Sequence, residues 1–209
     1  MVSTNFLSIQ LICFLFLPFH FLYAKTSVLR LKTGMSNLSI TSGDRLAGEK
    51  LNSMVNLTPS VLWDFPSFSS RFGVHYMMEL NSPYGLTPMS GIGLSAYYHI
   101  LGITTGNEYT KDDVLFQKSK PGPYIYAGFT PVNININKFN TDNNTADNYF
   151  FSALINDISF GLGYDYPIFQ NMTLSGEFIL RSGKTVDTSK DQVQYTGWTV
   201  FLTLATSYF

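Results

Sequence analysis

Beyond residue 24 the chain carries two histidines, His75 and His99, with Ser95 four residues before the second. A serine paired with a histidine base, itself oriented by an acid, is the arrangement that transfers acyl groups. Here no acid follows at a spacing that completes it, so both histidines read as polar filling and no catalytic residue is assigned. Two histidines without a cluster of further ligands do not make a metal site, and no cofactor is expected. The more telling side chains are charged. Arg30, Lys32, Arg71, Glu79, Asp157, Asp165, Glu177 and Arg181 each fall on the polar side of an otherwise apolar alternating segment. Charges placed inside a narrow wall must pair or hold water. They therefore form an interior network, read either as an ion-paired plug or as a narrow, gated conduit.

The segments that carry these residues alternate with a period of two, the signature of strands with one apolar face. Phe72, Val74, Tyr76, Met78 and Leu80 face one way, and Arg71, Gly73, His75, Met77 and Glu79 the other. The same period runs from Leu154 to Ile168, with Asn156 as the polar exception on the apolar face. Strands are expected near 27–38, 51–63, 71–80, 91–102, 123–136, 152–168, 172–182 and 195–209, each bounded by Gly, Pro, Asn, Asp or Ser. Between the sixth and seventh segments, a turn centred on Gln170 places Ser159 opposite Arg181 and Asp157 one diagonal step away.

Composition narrows the class. The 45% apolar and 16% aromatic content excludes a disordered chain, and 13 Lys+Arg scattered among 14 Asp+Glu exclude a nucleic-acid partner. The apolar run from Phe6 to Tyr23 ends at Ala24, so residues 1–24 read as a cleaved signal peptide and 25–209 as one domain. The single cysteine, Cys13, lies in that leader, which leaves the domain without disulfide or thiolate chemistry. No later apolar run approaches the roughly 18 residues of a spanning helix.

Many alternating strands suit a soluble sandwich or a membrane barrel, and the connections choose between them. Those at 41–50, 81–90, 138–151 and 183–194 are long and polar, whereas 64–70 and 169–171 are short. Membrane barrels show this asymmetry, with short periplasmic turns and longer outer loops. Trp63, Tyr98, Tyr124, Tyr126, Tyr166, Trp198 and Tyr208 stand near strand ends and read as interfacial girdles. Residues 103–122 do not fit: the strand count asks for a short turn there, and the sequence supplies about twenty largely polar residues.

With leader, alternation, girdles and the ending Gly197-Trp198-Thr199-Val200-Phe201-Leu202-Thr203-Leu204-Ala205-Thr206-Ser207-Tyr208-Phe209, the chain resembles the small bacterial outer-membrane barrels of the OmpA-like and OmpX-like type. The unit Gly161-Leu162-Gly163-Tyr164-Asp165-Tyr166-Pro167 followed by Phe169 and Thr173 to Glu177 resembles the strand–turn–strand pair near the end of such barrels. The resemblance implies an all-β, antiparallel, up-and-down transmembrane β-barrel of eight strands in the outer membrane. It implies Trp198, Tyr208 and Phe209 as an assembly signal, with the barrel-assembly machinery and periplasmic chaperones as partners. Membrane lipid and lipopolysaccharide would surround the wall. The terminal phase differs from the family pattern, because the apolar face ends on Tyr208 and not on Phe209. The expected role is non-enzymatic, structural or surface-interacting, with a ligand met through the loops at 41–50 and 140–148. Two alternatives stay open: a narrow pore for ions or small polar solutes, and a lipid-modifying enzyme using His75 or His99, although no lipid A deacylase pattern is present.

Overall fold

Alternating apolar residues cover one side of each strand, and eight such strands bury the other side only by closing into a cylinder. The computed structural model describes residues 26–42, 50–81, 85–111, 114–138, 149–169, 171–186 and 192–208. Its strands are β1 (Thr26–Ser42), β2 (Lys50–Phe65), β3 (Ser70–Asn81), β4 (Gly85–His99), β5 (Thr104–Lys111), β6 (Val114–Ser119), β7 (Gly122–Lys138), β8 (Tyr149–Pro167), β9 (Met172–Thr185) and β10 (Gln194–Tyr208). β1, β2, β3, β4, β7, β8, β9 and β10 form a closed antiparallel barrel, each next to its neighbour in the chain, and β1 pairs with β10 from Ser27↔Tyr208 to Ser42↔Gln194. Closure leaves no free barrel edge. The expected leader, most of the loops at 41–50 and 140–148, Gln170 and Phe209 lie outside the described residues.

The expected phase holds around the wall. Phe72, Val74 and Tyr76 are exposed and Arg71, Gly73, His75 and Met77 buried, and in β10 Trp198, Val200, Leu202 and Leu204 are exposed while Thr199, Thr203 and Ala205 are buried. The turn register is also as expected, with Ser159 opposite Arg181. Among the described residues whose side chains face outward from the barrel wall, the only charged one is Lys184.

Towards the end of the barrel away from β1's first residue, the polarity inverts. Leu38, Ile40, Val132, Ile134, Phe151, Ala153 and Ile155 point inward, while Ser39, Asn133, Asn135, Ser152 and Thr196 point outward. A strand with an apolar interior face and a polar exterior face is built for water on its outside. The strands therefore run past the apolar belt, which is why they are longer than expected, to Ser42, Lys138 and Thr185.

Two expectations are corrected. Tyr124 and Tyr126 are interior, 0% and 5% exposed, and do not belong to a girdle. β7 carries bulky side chains on both faces, Ile125 and Phe129 outside and the two tyrosines inside, so its alternation does not tell inside from outside. Trp63, Tyr98, Tyr166 and Trp198 do reach the outer face. The long segment at 103–122 is no simple turn: β5 and β6 pair with each other as a separate two-stranded sheet. It leaves the barrel through Gly102, whose φ of 87° is a backbone state that glycine adopts without a Cβ clash. The other connections at this end are a single helical turn at Pro66–Phe68 and the tight turn after Pro167.

Candidate functional site in the lumen

Strand phase delivers all eight charged residues to the interior, together with Asp64, which the sequence reading left in a turn. Asp64 is in phase with Ser60 and Leu62, and that phase was the available signal; the neighbouring Pro66 and Ser67 masked it. Four cations thus meet five carboxylates in two groups.

The group nearer the termini is built on Arg71, Arg30 and Lys32. Arg71 donates through Nε to Asp64 Oδ1 at 2.7 Å and through Nη1 to Asp165 Oδ2 at 3.0 Å. Ser175 Oγ donates to the other Asp165 oxygen at 2.5 Å. Arg30 Nη2 donates to Glu177 Oε1 at 2.9 Å and to Tyr124 OH at 2.9 Å, and Lys32 Nζ donates to Glu177 Oε2 at 2.6 Å. Removing these charges from water is offset by direct pairing and by aromatic faces. Lys32 Nζ lies 4.3 Å from the Tyr126 ring centroid and 5.0 Å from that of Tyr97, and the Arg30 guanidinium carbon is 4.7 Å from Tyr97. The inward tyrosines are therefore part of the cation site. Gly163 makes room for one of them, since a Cβ there would collide with the Tyr124 ring.

The second group surrounds Arg181. Its Nε and Nη2 donate to Asp157 Oδ2 at 3.1 and 2.9 Å, and its Nη1 pairs with Glu79. Glu79 Oε1 also accepts from Asn56 Nδ2 at 2.6 Å and Ser36 Oγ at 2.9 Å, and Tyr195 OH donates to Asp157. Beyond this group lies the apolar layer of Leu38, Met89, Val132, Ile134 and Ile155, each fully buried.

Between the two groups His75 shares hydrogen bonds with Ser95 Oγ through Nδ1 at 2.6 Å and with Thr130 Oγ1 through Nε2 at 2.7 Å. The ring crosses β4 at Gly93, where a Cβ would collide with Thr130 Oγ1. Ser95 thus belongs with His75 on the facing strand and not with His99, four residues on; His99 Nδ1 instead stands 3.8 Å from Asp165. A cavity of about 20 Å³, room for one water, adjoins Lys32, Thr58, His75, Thr130, Asp157 and Arg181. No group of three His, Cys, Asp or Glu side chains among the described residues is placed to hold a metal.

The fold is the eight-stranded barrel of small outer-membrane proteins. Neisserial surface protein A is similar in structure at a TM-score of 0.51 and 15% identity, covering 86% of this chain and 96% of that one. The N-terminal β-barrel domain of Pseudomonas aeruginosa OprF gives a TM-score of 0.48 at 13% identity, covering 88% and 98%. No protein-family model and no curated protein matches the sequence.

Proposed function

We propose that the chain is an integral outer-membrane barrel without enzymatic activity, delivered by a signal peptide ending at Ala24, whose work is structural or is done by its outer loops on a surface ligand. The observation that carries this reading is the filled lumen: two layers of paired charges, then a layer of buried aliphatic side chains, with a cavity for one water between the charged layers. An eight-stranded wall encloses an interior that side chains can fill. The barrel-assembly machinery and periplasmic chaperones are its proposed partners during delivery, and lipid with lipopolysaccharide its surroundings afterwards.

Purified protein in planar bilayers tests the main point. The wild type is expected to leave the membrane sealed, and discrete ohmic steps would instead establish the pore. The lipid-modifying alternative has one observation in its favour, the Ser95–His75 pair. Both side chains are buried, and the second ring nitrogen of His75 meets Thr130 Oγ1 rather than an acid. Lipid extracts from cells expressing wild type and Ser95→Ala are expected to be identical; a product lost in the variant would make the protein an enzyme.

A further inference from the structure

The β5–β6 hairpin leaves the wall at the seam between β4 and β7, and β6 lies against β10. Around the barrel, β8 and β9 stand between that seam and β10 on one side, and β3, β2 and β1 on the other. β10 is therefore on the opposite wall. The hairpin starts just after His99, at the end of the barrel where β1 begins and β10 finishes. Eight strands about 4.8 Å apart and tilted by about 40° make a backbone cylinder roughly 16 Å across. The eight residues of β5 extend about 26 Å, so the hairpin is long enough to cross this mouth.

Its base turns inward over the mouth. Ile100 and Leu101, on the way out of β4, are exposed, whereas Ile103, just past the positive φ of Gly102, is 2% exposed. The Lys120 amide donates to the Ile103 carbonyl at 2.9 Å, and the Ile100 amide donates to Pro123 on the wall, so the chain changes direction between the two. The other described connections at this end leave the mouth uncovered: Phe68 in the helical turn and Phe169 in the tight turn both stand in the open. Yet the inward residues nearest the mouth are dry. Asp64, Arg71, His99 and Asp165 are buried, and so are Thr173 and Ser207. We propose that the β5–β6 hairpin is a lid, hinged at Gly102, that closes this mouth and keeps water from the charges around Arg71. Ion pairs held away from water attract more strongly than wet ones, so the lid strengthens the group it covers.

The test uses the barrel folded in detergent micelles, in a Cys13→Ser background, with Thr173→Cys, Ser207→Cys or, as an open control, Phe68→Cys. A charged thiol reagent is expected to modify the first two about tenfold more slowly than the control. Replacing 103–120 with a short glycine-containing turn is expected to raise those two rates about tenfold and leave the control unchanged. Equal rates at all three positions in the full chain, or rates unchanged by the replacement, overturn the lid. Should the shortened barrel fail to fold, the full chain still decides. A cysteine at 206, 207 or 208 is combined in turn with one at each position from 114 to 119, and at least one pair is expected to form an intramolecular disulfide on oxidation, read as a faster-migrating band. No cross-link from any pair overturns the contact with the opposite wall, and the lid with it.

Discussion

Arg181 holds two carboxylates at once, Asp157 through Nε and Nη2 and Glu79 through Nη1, so the consequences of removing it are unequal. Taking one partner from a buried pair costs about 3–5 kcal/mol, much of it from the charge left behind. Arg181→Met is expected to lie at the upper end of that range and Asp157→Asn at the lower end, because the asparagine still accepts from Tyr195. The double variant should cost little more than Arg181→Met alone, with a coupling of about 1–3 kcal/mol, since Glu79 is stranded in both. Urea unfolding of the three variants in detergent micelles measures this, and additive losses would mean that the pair contributes nothing. The pairing itself was legible in the sequence, because a tight turn fixes the register and register fixes the diagonal neighbour. The second carboxylate was not, because Glu79 arrives from β3 across the lumen and no local spacing reports a contact through the interior. The same limit hid the aromatic faces around Lys32 and the meeting of Ser95 with His75.

At the level of elements, alternation located every barrel strand but not its ends. It fails where polarity inverts: Asn133, Ile134 and Asn135 alternate as cleanly as Phe72, Gly73 and Val74, yet with the apolar residue turned inward. Single cysteines at 72, 73, 74 and 75 are expected to react alternately with a lipid-soluble thiol reagent, and Val74→Arg to cost about 2–4 kcal/mol near mid-membrane. Cysteines at 133 and 135 are expected to react instead with a water-soluble reagent. A uniform pattern at either level would place the membrane boundary wrongly. The segment at 103–122 confused the strand count because β5 and β6 have strand composition and yet ladder only with each other. Replacing 103–120 with a short glycine-containing turn is expected to leave the barrel folded, with an unchanged heat-shifted band. Loss of the band would show that the hairpin helps to hold the wall.

The whole molecule depends on the meeting of its first and last strands, for an open edge in hydrocarbon leaves backbone groups unpaired. Deleting Tyr208 and Phe209 removes the end of the β1–β10 ladder and is expected to lower the membrane-inserted fraction, read by protease protection in cells. Unchanged insertion would make the terminal residues dispensable and the likeness of that ending to an assembly signal accidental. The lumen adds a constraint of timing. Arg30 and Lys32 leave the ribosome on the first strand, and their partner Glu177 lies 147 and 145 residues later. For nearly the whole of synthesis those two cations have no counter-charge to fold onto, and pairing across such separations is slow. The charged lumen of such a barrel is complete only once its ninth strand exists.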